Sequence, residues 1–333
     1  MPVLAELYRT MARIRAFENA AEIASQGGVQ VWGQSVAAQA RVRGPLHLST
    51  GQEAVAAGVC RHLTRDDLLT STHRGHGHTL AKGADVTRMM CELYGRATGT
   101  NQGKGGSMHI ADFSVGMLGA NGVVAAGLPI AVGAAHALKI QGRDALVACF
   151  FGDGAINRGP FLEAMNWAQV YALPVLFVCE DNRYSATTRT GAMTAGEGAA
   201  ARARSVGIDA RPVDGNDVEA VHAAAAELVS AIRRGHGPRL LHAHTYRAKG
   251  HVSVDPAHYR DPDEVRKALV GDPIELARRR FVERGGDIAR LDAIDREARE
   301  EIAAAQAAAD AAPFPDAALA FTDVQTVGAG QWH

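Results

Sequence analysis

ALVACFFGDG (residues 145–154) and PVLFVCEDN (residues 174–182) decide the architecture of this chain. Each begins as a short apolar run and ends in polar residues. Gly152-Asp153-Gly154 closes the first, and Glu180-Asp181-Asn182 closes the second. Residues 161–171, between them, read as a helix. Two apolar runs joined by a helix form the pattern of a right-handed βαβ unit in a parallel sheet. Working outward, residues 217–234 read as another helix and residues 239–246 (RLLHAHTY) as another strand. Upstream, residues 67–72 suit a short strand that leads into His73-Arg74-Gly75-His76-Gly77-His78.

The flanks are helical. In residues 4–25, Leu4, Leu7, Met11, Ile14, Phe17 and Ile23 fall largely on one helical face. Residues 53–63 form a second helix. Residues 123–140 are rich in Ala and Gly and would let a helix pack closely on a neighbour. Residues 27–44 and 98–106 read as loops. After Asp261 the chain turns helical and charged, with a long Glu/Ala/Arg segment over residues 287–310, and roughly the last twenty residues read as a tail. The expected fold is a doubly wound α/β domain, a mostly parallel sheet with helices on both faces and helical additions at both ends. The expected divisions are an N-terminal helical segment (1–66), the α/β core (67–260) and a C-terminal helical region with tail (261–333).

Composition narrows the function classes. The chain has 333 residues, 47% hydrophobic and 21% charged, with a net charge of −1. That balance is ordinary for a globular protein and gives no reason to expect nucleic acid or an anionic membrane as partner. Cys60, Cys91, Cys149 and Cys179 lack metal-binding spacing. Cys149 and Cys179 sit in apolar runs and read as core residues of a reducing compartment. No basic region precedes an apolar run at the N-terminus, and no apolar stretch suits a bilayer span, so the expected location is the cytoplasm.

The chemistry is expected where the strands end. In an open parallel sheet, ligands bind beyond the carboxyl ends of strands. Glycines there let backbone N–H groups approach an anion, and the following helix presents free N–H groups to phosphate. An intervening carboxylate suits Mg²⁺, which takes few carboxylates plus phosphate oxygens and water. GDG alone is a common turn; GDG after one apolar run with Asn182 after the next is far more specific.

That pairing resembles the thiamine diphosphate motif. More narrowly, the chain resembles the alpha subunits of acetoin, pyruvate and branched-chain 2-oxo acid dehydrogenases. The segments carrying the resemblance are HLSTGQEA (47–54), THRGHGHTLAKG (72–83), ATGTNQGKGGSMH (97–109), GMLGANGVV (116–124), GDGAINRG (152–159), EAMNWA (163–168) and TYRAKGH (245–251). The wording is nearest to acetoin-type chains. The resemblance implies thiamine diphosphate and Mg²⁺ as cofactors. Asp153 and the Asn182 side chain would bind the metal, with the Tyr184 main-chain carbonyl as third protein ligand. Gly152, Gly154 and Ala155 would meet the diphosphate through the backbone, and Arg74 through its guanidinium fork. Gly122 and Val124 would offer backbone groups to the aminopyrimidine. His76 and His251 would line the mouth of the site near the reacting carbon, with Arg247 beside His251. His109 is expected to order the glycine loop, and His222, His236, His258 and His333 to be solvated surface.

The resemblance also implies partners. In the family a beta chain supplies the glutamate that activates the aminopyrimidine, and one domain of this length has no room for a second half-site. The expected active form is an α₂β₂ heterotetramer, passing an acyl fragment to a lipoyl acyltransferase. Three departures stand out. Asp181 replaces the middle Asn of Glu-Asn-Asn, and Arg158 replaces Glu or Gln after GDGAxN. In His251-Val252-Ser253-Val254-Asp255 both family serine positions are valines, which argues against kinase control at the first. Residues 27–43 also read as longer than usual near the site mouth. A carboligase using an aldehyde or sugar acceptor, and a non-catalytic scaffold, remain alternative readings.

Overall fold

The structure of the chain, a computed structural model, describes residues 2–26 and 40–322. Most of the long-loop expectation for residues 27–43, the end of the tail and His333 therefore lie outside the described residues.

In chain order the main elements are α1 (Pro2–Ala24), α2 (Glu53–Cys60), β1 (Leu68–Thr70), α3 (His76–Ala81), α4 (Val86–Leu93), β2 (Met117–Gly119) and α5 (Gly127–Ile140). Then come β3 (Val147–Gly152), α6 (Gly159–Val170), β4 (Val175–Asp181), a two-stranded hairpin of β5 (Tyr184–Ser185) and β6 (Thr188–Arg189), α7 (Gly198–Ser205), β7 (Asp209–Asp214), α8 (Val218–Arg233) and β8 (Arg239–His244). Three helices follow: α9 (Pro262–Leu269), α10 (Pro273–Glu283) and α11 (Ile288–Ala311). Six strands form one parallel sheet in the order β2-β1-β3-β4-β8-β7.

The period-two geometry of strands divides the core. Val147, Cys149, Phe151, Val175, Phe177 and Cys179 share one apolar cluster with residues of α5, α6 and α7. Ala148, Phe150, Leu176 and Val178, which alternate with them, pack with α1, α2, α4 and α8 on the other face. Both faces are thus covered, which explains why β3 and β4 are apolar from Val147 to Phe151 and from Val175 to Cys179. All four cysteines are free and buried. Asp67 fastens the amino end of the sheet: its carboxylate accepts from Leu146 N at 2.9 Å and pairs with Arg233 of α8 at 2.5 Å.

The C-terminal helices begin where chain chemistry permits. Asp261 and Asp272 cap α9 and α10, each with Pro in the first turn, and Asp287 caps α11. α11 packs on α1 and α4. Among the described residues no helix is long and apolar enough to cross a membrane.

Two expectations about helices need correction. The helix expected over residues 123–140 starts only at Gly127, because Ala125 takes a left-handed φ of 74°. Its small residues serve two surroundings: Ala131 and Ala135 are buried inside the domain, whereas Gly133 is exposed. His222, expected as solvated surface, stacks on His62 with ring centroids 4.4 Å apart.

Candidate active site

The carboxyl ends of β1, β3, β4 and β8 open into one cavity. Arg74, Gly122, Val124, Gly152, Asp153, Gly154, Ala155, Asn182, Tyr184, Arg247 and His251 all line it. The chain segment after β1 brings Arg74, the turn after β3 brings Asp153 and Gly154, and the segment after β4 brings Asn182. The loop after β8 brings Arg247 and His251.

Electrostatics on one wall are cationic and unbalanced. Arg74 is buried, and its guanidinium donates to the Leu48 and His251 carbonyls, both at 2.9 Å. Arg247, only 1% exposed, donates to the Ala186 carbonyl at 3.0 Å and to the Tyr259 hydroxyl at 2.8 Å. Neither guanidinium forms an ion pair among the described residues. Burial and the like charge of Arg247 push Arg74 down to about 9, so it remains a cation at neutral pH. Two buried cations bonded only to neutral oxygens and a ring nitrogen favour an anion in the space between them.

The ends of β3 and β4 add acidic groups. Asp153 is buried and accepts a hydrogen bond from the Thr190 hydroxyl. Burial and the neighbouring Asp181 push its carboxyl up to about 6. A bound divalent cation would relieve that repulsion. Asn182 is fixed beside it: its amide donates to Gln52 Oε1 at 2.9 Å and its Oδ1 accepts from Tyr184 N at 3.1 Å. Arg183, between them, adopts a left-handed φ of 68°, which turns the chain sharply after β4.

Gly154 is required by space. A Cβ there would collide with the Ser185 hydroxyl and lie 2.7 Å from Ser185 Cβ. The β5–β6 hairpin thereby presses directly on the turn after β3. Two further polar atoms beside the cavity are buried without a partner, His47 Nδ1 and Gln52 Nε2. A cation-lined wall, a metal-suited carboxylate–amide pair, a glycine turn and orphaned polar atoms fit a diphosphate carried with Mg²⁺.

A family model described as "Dehydrogenase E1 component" matches residues 33–318. The chain belongs to the dehydrogenase E1 component family. Its relatives include the alpha subunit of acetoin:2,6-dichlorophenolindophenol oxidoreductase of Cupriavidus necator, 42% identical, covering 96% of this chain and 93% of that one. The protein of the same name from Bacillus subtilis is 40% identical, covering 96% and 92%. The pyruvate dehydrogenase E1 component subunit alpha of Rhizobium meliloti is 38% identical, covering 95% and 88%.

Within this E1 component chain, His76 departs from expectation. It does not line the cavity mouth. It opens α3 with no exposed surface, its Nδ1 2.8 Å from Glu18 and its Nε2 3.0 Å from the Ser107 hydroxyl. A short helix starting inside the histidine run turns its ring inward. The glycine loop is likewise ordered by another residue than His109, which is exposed. Buried Glu92 accepts four backbone N–H groups, from Asn101, Gly103, Gly105 and Gly106, at 2.8–3.0 Å.

Sequence reasoning gave no site role to Glu18, Glu92, His47, Gln52 or Glu180. Glu18 carried a readable signal, since a charge beside Ile14, Phe17 and Ala21 on an apolar helix face needs a buried partner. His78 ties α3 to the sheet, with Nδ1 2.7 Å from Ser71 and Nε2 3.1 Å from Glu180, which lines the cavity. His47, His73 and His251 cluster at the rim; burial and then Arg74 depress them to about 3, 2 and 4. All three are neutral at physiological pH.

Proposed function

We propose that this chain is the diphosphate-binding alpha subunit of a heteromeric thiamine-diphosphate-dependent dehydrogenase. It acts on acetoin or a short, pyruvate-like 2-oxo acid and passes the acyl fragment to the lipoyl domain of an acyltransferase. The observation that carries the reading is the pairing of Asp153 and Asn182 after adjacent strands, with Arg74 lining the same cavity. The relatives named for acetoin and pyruvate enzymes support the substrate class.

Asp153, Asn182 and the Tyr184 carbonyl would hold Mg²⁺. Arg74 and the backbone of Gly152, Gly154 and Ala155 would hold the diphosphate, with Gly122 and Val124 beside the aminopyrimidine. When bound, the cofactor supplies a carbon nucleophile and an electron sink for cleaving the bond next to a carbonyl. The protein fixes and shields that chemistry. Arg247 and neutral His251 line the cavity, where a neutral imidazole can donate to, or accept from, a reacting oxygen.

The chain's own carboxylates at the cavity are committed elsewhere: Asp153 to the metal position and Glu180 to His78. A beta-type chain supplies the activating glutamate, and the active form is α₂β₂ in the cytoplasm. Exposed Ile140, Trp167, Val170 and Tyr171 on α5, α6 and the turn after α6 give the domain an apolar strip suited to subunit contact. Co-expression with a beta-type chain, followed by a screen of acetoin, pyruvate and branched 2-oxo acids with a dye acceptor, tests the reading. Turnover of acetoin or pyruvate by the pair is expected; cofactor-loaded pairs inert towards every substrate would overturn it.

A further inference from the structure

Asp181, His242 and His244 form a second cluster of donors, and none of the three lines the cavity. Asp181 ends β4, and His242 and His244 lie on β8 beside it, with Asp181 in register with His244. Residues two apart on a strand share a face, so both imidazoles meet the same carboxylate. Asp181 Oδ1 accepts from Arg183 N at 3.2 Å. Its Oδ2 faces the histidines, 3.0 Å from His242 Nε2 and 3.4 Å from His244 Nδ1. The three donor atoms lie within 4.8 Å of one another.

The two imidazole–carboxylate spacings suit ligands of one shared metal ion. Around a four-coordinate zinc with ligand bonds near 2.0–2.1 Å, neighbouring donors lie about 3.3 Å apart. Two imidazoles and one carboxylate form a donor set that borderline transition ions prefer over Mg²⁺. The site is held on one side and open on the other. His242 is buried, and a Cβ on Gly198 at the start of α7 would come within 3.3 Å of its Cε1. The His244 side chain is half exposed, which leaves a path for the ion and room for water as a fourth ligand.

We propose that Asp181, His242 and His244 bind a divalent transition-metal ion of the zinc class, at a site separate from the Mg²⁺ position at Asp153. The ion joins the carboxyl ends of β4 and β8. It also neutralises Asp181, the acidic neighbour of Asp153, so it tunes the charge beside the cofactor's metal without touching the cofactor.

The test uses the untagged full-length chain, stripped of metal, with Mg²⁺ and thiamine diphosphate saturating, titrated with Zn²⁺ by calorimetry. One zinc per chain is expected. His244→Ala, at a half-exposed position, should fold normally by its melting curve and bind zinc about 10-fold more weakly or worse. His251→Ala, which removes one donor of the rival rim cluster, should bind zinc as the parent chain does. Co²⁺ should give the intense visible absorption of a four-coordinate ion, lost in His244→Ala. Equal zinc affinity in the parent chain and His244→Ala, loss of binding in His251→Ala, or a hexa-aquo-like Co²⁺ spectrum would each overturn the proposal.

Discussion

His76 Nδ1 lies 2.8 Å from Glu18 Oε2, and neither side chain has any exposed surface. The contact joins α3 to α1. Burial opposes the charge on Glu18, but His76 and two hydrogen bonds from Ser49 outweigh it and hold the carboxyl below its usual range. We infer that His76 acts as a positioning residue, through Glu18 on α1 and Ser107 in the glycine loop.

Removing one member of a buried pair leaves the other uncompensated, at a cost of about 3–5 kcal/mol. His76→Ala and Glu18→Ala should each lose stability on that scale in denaturant unfolding, with turnover falling alongside. Normal stability with collapsed turnover in His76→Ala would return His76 to direct chemistry.

Arg74→Ala should weaken thiamine diphosphate binding. A hydrogen bond to a charged group contributes about 1.5–3 kcal/mol, or roughly 10- to 150-fold in affinity. Calorimetry of the alpha–beta complex reads this directly, and unchanged affinity would place the diphosphate elsewhere.

Gly154→Ala should also lose cofactor affinity, through the collision of the new Cβ with Ser185. Adding Ser185→Gly removes the obstructing side chain, so the double variant should recover part of the affinity. A single variant that binds normally would show that the β5–β6 hairpin moves aside freely.

The rim histidines set a pH dependence. Their folded values of about 3, 2 and 4 lie below the ordinary 6.5. Between those values and 6.5 the unfolded chain binds more protons than the folded one, so stability rises with pH. Their contribution is intact above pH 6.5 and is lost as pH falls from 6.5 towards 4. Melting temperatures should decline over that window in the cofactor-free chain, and the slope should be shallower in His73→Asn. Identical slopes would remove the rim histidines from the account.

The parts of the fold legible in the sequence were those with local causes. β3 and β4 are apolar up to Phe151 and Cys179 because both sheet faces are covered, and the Asp153–Asn182 pairing follows from their polar ends. β7 was not legible: Asp-Ala-Arg-Pro-Val-Asp is an edge strand, partly exposed, where Pro212 is tolerated and no apolar run is needed. α3 was masked by the histidine run itself. The buried networks were also out of reach, because Glu18 and His76 are 58 residues apart and His78 and Glu180 are 102 apart. Such contacts are set by packing, which no local pattern encodes.

Asp153 and Asn182 are proposed to hold a divalent cation that carries thiamine diphosphate into this cavity. The most direct measurement is calorimetric titration of thiamine diphosphate into the alpha–beta complex, with and without Mg²⁺, for the parent protein and Asp153→Ala. Mg²⁺-dependent binding is expected in the parent and none in Asp153→Ala; equal affinity in the two proteins, or binding indifferent to Mg²⁺, would contradict the metal assignment.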